Sequence, residues 1–573
     1  MGCAFEIPAF NLDARQYKVM LADRPVSPNT GMLTPIERSA CLYQLLSAFI
    51  RGRCVRLNAL NRRPRPARPT KVRPSVSARA SLPNENPDNT ADDWHPHRSS
   101  PNLASERPAS VAKETNPSMS RLVVVSNRVA PIQEGEATAG GLAAGVLDAL
   151  KQKGGLWFGW SGEITATSEA KPSLERTVGP ITLFTVDLSR QDYDEYYRGF
   201  ANDTLWPVLH YQIGLGHFEW QEFDGYRRVN ELFAESLTPL VRTDDLIWVH
   251  DYHLLCLADG LRARGLTNRI GLFLHTPFPA PGVFMTIPSH ADLIRAMCAY
   301  DLVGFQTEID RTAFLDYLLR CAGGVVVDGA VKVFGRVVRT GVYPIGVHVD
   351  EVRAQAETPV NRRQATRMRA NLMERLILSV DRLDYSKGLR QRFAAFERFL
   401  AEYPAQHGLV TFMQIAPPSR SDIETYQRIR RELEGEAGRI NGRFAEVDWV
   451  PLRYLNRSFP RNVLMPLYAE AQACLVTPLR DGMNLVAKEY VAAQDPEEPG
   501  VLILSEFAGA ARELDAALLV NPYDEAGMAR AMDRALSMAL EERQERHQAM
   551  LAVMRTNSLE RWRDRFEADL RGN

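Results

Sequence analysis

The sequence predicts an α/β protein made of two doubly wound, largely parallel sheets, and three observations predict it. From Arg121 onward, short continuous apolar runs recur with helical patterns between them. Strands that are apolar on both sides belong to parallel sheets covered by helices on both faces. The runs form two series, separated by Val342-Tyr-Pro344-Ile-Gly346, whose Pro and Gly read as a crossover. The 573 residues also exceed what one core organises, so two or three domains are expected.

The elements follow in order. Residues 1–118 differ in texture from the rest. Ile36 to Phe49 suits one short helix. Arg51 to Arg79 is rich in Arg and Pro with no acidic residue, and Ser81 to Ser120 is rich in Asn, Pro, Ser and Asp. Such composition buries too little apolar surface to offset ordering entropy, so a disordered extension is expected. Its basic stretch could meet nucleic acid or anionic lipid; a solvated tail is the plainer reading. The first sheet is expected within 119–345, with strands at Leu122–Val125, Leu246–Val249, Ile270–Leu274 and Leu302–Phe305. The second is expected within 346–540, with strands at Leu376–Val380, Leu409–Met413, Ala473–Val476, Val501–Leu504 and Ala517–Val520. One long amphipathic helix, roughly Glu541 to Leu570, is expected to pack back across the boundary.

Composition narrows the function class. Apolar content of 45%, charge of 24% and a formal net charge of −1 are ordinary for a globular protein and give no overall argument for nucleic acid or membrane. Seven cysteines are scattered without a C-x-x-C pair. A reducing cytoplasm is the simplest reading, and a disulfide scaffold or zinc knuckle is disfavoured. No apolar run reaches transmembrane length and no signal peptide is visible. Met-Gly-Cys-Ala-Phe-Glu lacks Ser or Thr at position 6, which argues against myristoylation.

Polar clusters sit where strands end, which is where α/β sheets bind ligands. Ser126-Asn127-Arg128 follows the first run; the Arg128 fork suits a phosphate or a surface salt bridge. Ala137-Thr-Ala-Gly140-Gly141 is a glycine turn opening a helix, without the spacing of a dinucleotide site. Tyr197 and Trp206 lie in an aromatic stretch suited to a sugar face or to core packing. His250-Asp251-Tyr252-His253 and His275-Thr-Pro-Phe-Pro279 close two consecutive strands. The H-x-x-H spacing lacks a third ligand for zinc, so no metal is expected. Asp381-Arg382-Leu-Asp384-Tyr385-Ser386-Lys387-Gly388 sets two cations about one turn, which suits a diphosphate leaving group without a metal. Arg420 ends the next unit.

The most informative stretch is Thr477-Pro-Leu-Arg-Asp481-Gly482-Met483-Asn484-Leu485-Val486-Ala487-Lys488-Glu489-Tyr490. A buried strand, a polar turn and a helix start place free backbone N–H groups and a positive dipole end together. Asp481 can accept hydrogen bonds from hydroxyls, and Glu489 lies one helical turn beyond Leu485. Amides for phosphate and carboxylates for hydroxyls fit a nucleotide sugar.

From about Ser120 onward these ordered motifs resemble the trehalose-6-phosphate synthases, retaining glycosyltransferases of family 20 with a GT-B fold. The likeness is carried by S-N-R, A-G-G-L, G-G-L-W-F-G-W-S-G, E-Y-Y, H-D-Y-H-L-L, R-L-D-Y-S-K-G, Gly435-Glu-Ala-Gly-Arg-Ile-Asn-Gly442 and the Thr477–Tyr490 stretch. The resemblance implies glucose transfer from UDP-glucose to glucose 6-phosphate, giving α,α-trehalose 6-phosphate, a product tied to osmotic and stress protection. A sister transferase using another phosphorylated acceptor, such as glycerol 3-phosphate, is the alternative. It implies that Arg128, Tyr197, Asp251 and Arg420 bind the acceptor while Trp206 orients it. Gly140 and Gly141 would close over the donor, Phe459 lie beside uracil, and Glu489 take the ribose. His275, Arg382, Lys387 and Asp481 would carry the catalytic work, with the turn from Gly482 through Lys488 completing the donor site. It further implies no cofactor, no metal, a homo-oligomer (a tetramer in relatives), a cytoplasmic enzyme and synthase activity without a phosphatase domain, since no D-x-D-x-T-type motif is present.

Overall fold

A computed structural model of the chain describes residues 120–129, 142–169, 174–369, 373–420 and 422–572. The extension with its expected helix at Ile36–Phe49, and the Gly140–Gly141 turn, lie outside the described residues. Within them, two sheets form. The first contains β1 (Leu122–Arg128), β2 (Gly155–Thr165), β3 (Leu174–Val178), β4 (Ile181–Ser189), β5 (Leu246–His250), β6 (Ile270–Phe273), β7 (Leu302–Phe305), β8 (Val325–Val327), β9 (Ala330–Val333) and β10 (Arg336–Val342). Their order is β3-β4-β2-β1-β5-β6-β7-β10-β9-β8. The second contains β11 (Arg375–Val380), β12 (Val410–Ile415), β13 (Leu452–Leu455), β14 (Ala473–Val476), β15 (Val501–Ser505) and β16 (Leu518–Val520), in the order β13-β12-β11-β14-β15-β16. Every pairing in the second sheet is parallel. The first is parallel from β4 through β10 and antiparallel at its margins, β3 on β4 and β8-β9-β10.

The strand order reverses once in each sheet, between β1 and β5 and between β11 and β14. A crevice opens outside the carboxyl ends at such a switch point. Arg128 closes β1, and Asp251, Arg382 and Asp481 follow β5, β11 and β14.

The apolar runs form strands because they are buried on both faces: Val123, Val124, Ile247, Trp248, Ile377, Leu378, Cys474 and Leu475 are all at 0% exposure. The second series begins and ends near its expected bounds, although β12 runs to Ile415 and β16 starts at Leu518. The expected set omits β2, β3, β4, β8, β9, β10 and β13. In β2, Gly155, Gly159, Ser161 and Gly162 break up the apolar run. β8 is exposed throughout, and β13 is a short edge with Arg453 and Tyr454.

The single long C-terminal helix is corrected to two, Leu540–Thr556 and Leu559–Arg571. Asn557 leaves helical geometry and the Ser558 hydroxyl caps the second helix by accepting from the Arg561 amide. The crossover presses on this break, since a side chain at Gly346 would run into the backbone of Asn557 to Leu559. The last helix lies on the first sheet. Phe566 stacks on Trp248 with centroids 4.7 Å apart, and its ring occupies the space that Cβ atoms would fill at Gly271 and Gly304. One apolar core therefore runs from β1 and β5 through Tyr343, Ile345 and Trp562 to β11 and β14.

Candidate functional site

The half of the site on the second sheet is a turn pinned from three sides. After β14, the Asp481 amide donates to the Phe507 carbonyl and the Gly509 amide to the Asp481 carbonyl. The Asn484 backbone is left-handed at φ 83°, and its side chain accepts from the Ala487 amide while donating to Asp481 Oδ2 at 3.0 Å. That cap starts the helix Leu485–Ala493, leaving the Leu485 and Val486 amides without intrahelical carbonyls. The turn after β11 docks beside it, the Leu479 amide donating to the Ser386 carbonyl. This brings Lys387 Nζ to 2.5 Å from Asp481 Oδ2. Burial alone would raise the Asp481 carboxyl, but Lys387 and Asn484 outweigh it and hold the group below its usual range. Behind both turns, fully buried Arg392 donates to Asp381 and to the Lys387 carbonyl, each at 3.0 Å, and to Thr477 at 3.1 Å.

Further along, Arg461 Nη1 meets Glu489 Oε1 at 2.5 Å, and burial raises the Glu489 carboxyl against that pull. Phe459 is half-buried with the Arg457 guanidinium 4.6 Å from its ring centroid. Two expectations for this stretch are corrected. Lys488 points inward, its ammonium held by the Ile345 carbonyl at 2.7 Å and Glu513 at 2.5 Å. A buried cation must be paired; Glu513 supplies the charge and the crossover a carbonyl, so Lys488 joins the two sheets and does not face the crevice. The Ala487 amide is taken by the Asn484 cap.

The half on the first sheet is built on β5 and β6. Asp251 follows β5 with φ 74°, a left-handed backbone uncommon outside glycine. Its carboxylate accepts from the His275 amide at 3.2 Å. Burial pushes this carboxyl up to about 6, against the pull of the Tyr252, His275 and Thr276 amides and Arg382. The His275 ring contacts His250 at 3.1 Å between Nε2 and Nδ1, and burial lowers its pKa to about 3, which keeps it neutral at physiological pH. Arg128 is exposed, its guanidinium 5.6 Å from the Trp160 ring centroid. Tyr197, in the π-helix Tyr193–Leu205, stacks on His253 with centroids 5.9 Å apart and planes at 12°.

The two halves touch directly. A Cβ at Gly482 would collide with the His275 carbonyl, so only glycine lets this turn approach β6 so closely. Arg420, at φ 47°, donates to Asp384 at 3.1 Å, to the Tyr252 hydroxyl at 3.0 Å and to the Tyr426 hydroxyl. Its guanidinium also covers the Trp206 ring at 4.1 Å, while Trp206 Nε1 donates to Asp384 at 3.3 Å. Burial would raise Asp384, but Arg420 and Arg382 keep its carboxyl low. Arg382 is exposed, 5.8 Å from the Trp206 centroid. The site thus gathers exposed cations (Arg128, Arg382), a neutral imidazole, a carboxyl raised toward neutrality and helix-start amides. Such a set can hold phosphates and orient hydroxyls. Among the described residues, no group of three or more His, Cys, Asp or Glu is placed to hold a metal ion.

Sequence reasoning passed over Asp384, Tyr252, Tyr426 and Arg461 as partners. Asp384 and Tyr252 stood inside motifs already singled out, and a second carboxylate after β11 was a readable signal. Tyr426 and Arg461 lie in or at the start of helices, where nothing local marks them.

The family model for glycosyltransferase family 20 matches residues 109–572. A trehalose-6-phosphate synthase of Enterobacter sp. (strain 638) is 52% identical over 454 residues, covering 79% of this chain and 95% of its own. The crystal structure of an α,α-trehalose-phosphate synthase (UDP-forming) from Burkholderia vietnamiensis is 57% identical, with a TM-score of 0.77 over 80% of this chain and 100% of that one. Another from Burkholderia xenovorans, in complex with glucose-6-phosphate, is 54% identical, with a TM-score of 0.76 over 79% of this chain and 100% of that one.

Proposed function

Because the chain belongs to glycosyltransferase family 20, we propose that it moves glucose from UDP-glucose to the C1 hydroxyl of glucose 6-phosphate, giving α,α-trehalose 6-phosphate and UDP. The relatives support this reading. One is UDP-forming with a trehalose-phosphate product, and another binds glucose-6-phosphate. A disaccharide of two glucoses with one phosphate then needs a UDP-glucose donor. The observation that carries the reading is the contact of Gly482 with the His275 carbonyl beside the Lys387–Asp481 pair. It brings the turn at the second sheet's switch point against the loop after β6, one strand from the first sheet's switch point, as transfer between two bound sugars requires.

The residue roles in this reading are carried over from the family resemblance. Arg128, Tyr197 and Asp251 bind the acceptor, while Arg420 and Trp206 form the wall that orients it. Arg382 and Lys387 stabilise the departing diphosphate, the Leu485 and Val486 amides meet phosphate, and Asp481 takes sugar hydroxyls. Glu489 takes the ribose, and Phe459 lies beside the base. Retaining hydrolases use a carboxylate pair across the scissile bond. Here Asp481 is tied to Lys387, which suits displacement on one face with the leaving phosphate accepting the acceptor's proton. Neutral His275 beside Gly482 is placed to donate or accept a hydrogen bond near the anomeric carbon. With cations in the metal's place, turnover survives EDTA; loss that added Mg²⁺ restores would refute this. A cytoplasmic setting accords with free Cys256, Cys298, Cys321 and Cys474. An assay crossing UDP-, ADP- and GDP-glucose with glucose 6-phosphate and glycerol 3-phosphate tests the whole reading. UDP-glucose with glucose 6-phosphate should be the best pair, and a better rate with glycerol 3-phosphate would overturn the acceptor.

A further inference from the structure

A second cationic cavity lies at the opposite end of the first sheet. Its volume is about 810 Å³, within the range of ~300–1,000 Å³ common for small-molecule sites. It is lined by Arg262, Arg269, Arg336 and Arg339, with Asp301 and Asp328 as its carboxylates and an apolar wall that includes Tyr300 and Val337. Arg269 and Asp301 immediately precede β6 and β7, whereas Asp251 and His275 follow the carboxyl ends of β5 and β6. A four- to five-residue strand at ~3.3 Å per residue therefore separates the two places.

The cations here are incompletely neutralised. Asp301 takes Arg262 at 2.8 Å and Arg269 at 3.8 Å, and Arg336 Nη2 meets Asp259 at 3.2 Å. Arg336 Nη1 and Arg339 Nη2 are both buried without a hydrogen-bond partner among the described residues. Those two nitrogens are shielded, so it is the accessible guanidinium surface, 41% of the side chain at Arg336 and 54% at Arg269, that an added anion meets. Guanidinium forks fit phosphate oxygens in pairs, and four arginines against three aspartates, counting Asp259 on Arg336, leave a positive excess that favours an anion.

We propose that this cavity is an anion site separate from the transfer crevice, and that it binds a phosphorylated small molecule through Arg336 and Arg339. The phosphate is the shared chemistry; it comes either free or on an organic body resting against Tyr300 and Val337.

Calorimetric titration of the full chain with inorganic phosphate, and in parallel with glucose 6-phosphate, tests this. Expected is a binding event that Arg336→Gln and Arg339→Gln each weaken about tenfold or more, while Arg128→Ala and Arg382→Ala leave it in place. Tighter binding of the sugar phosphate at this site would identify an organic ligand, and equal binding would identify free phosphate; either supports the site. Arg269→Gln, on the rim with its side chain 54% exposed, does not threaten folding and should weaken the same event and flatten its salt dependence. Phosphate binding that is untouched by all three glutamine substitutions, or abolished by Arg128→Ala alone, overturns the proposal.

Discussion

Asp251 combines two features that are costly unless the fold supports them, a left-handed backbone and a buried carboxyl. With Arg420 and Asn484 it is one of three non-glycine residues at the site with positive φ. The raised pKa has a consequence for stability. Between pH ~4 and ~6 the unfolded carboxyl ionises while the folded one keeps its proton, so this group's contribution falls as pH rises through that window and is flat above it. Asp251→Asn should therefore raise the Tm at pH 7.5, on the order of 2 kcal/mol in stability, and lose most of that gain at pH 4. A gain that does not vary with pH would contradict the burial assigned to it. The same variant should lower kcat/KM for glucose 6-phosphate about tenfold or more. The exposed cations separate by kinetics. Arg382→Ala should depress kcat by about 10²–10³ with little change in acceptor KM, and Arg128→Ala should mainly raise acceptor KM. A pure KM effect at Arg382, or unchanged glucose 6-phosphate affinity at Arg128, removes the role. At this scale the sequence showed which side chains stand after strand ends. It did not show that Lys488 turns inward, because its partners Ile345 and Glu513 are distant in the chain.

Among the elements, the strand, turn and helix from Ala473 to Ala493 were legible because the apolar run and polar turn are local, but the Asn484 cap and the inward Lys488 were not. β2 to β4 were not, because their burial comes from neighbours across the sheet and not from an uninterrupted apolar run. The C-terminal helices show the same division. Amphipathicity announced them, but the break at Asn557 answers to the crossover lying against it. Phe566 anchors the last helix at 0% exposure on Trp248, Gly271 and Gly304. Phe566→Ala should cost about 3–5 kcal/mol, read from a denaturant midpoint. A loss under about 1 kcal/mol would mean that the helix is not fixed there.

In the proposed reaction, groups assigned to the donor come from the second sheet and most assigned to the acceptor from the first. They are joined by the crossover at Val342–Gly346 and the returning helices. Binding both ligands should draw the halves together. Small-angle scattering should show a smaller radius of gyration with UDP and glucose 6-phosphate together than with neither; an unchanged radius would refute closure. By itself the sequence determined the two-series α/β layout, the places of nine of its strands and the cations and carboxylates gathered after them. Those signals are periodicity and turn chemistry, carried by residues adjacent in the chain. The tertiary structure alone decided which of these groups pair: Lys387 with Asp481, Arg420 with Asp384 and Tyr252, and Gly482 against His275. Each such contact joins residues far apart in sequence, and which ones meet is set by how the two sheets pack, a property that no local pattern encodes.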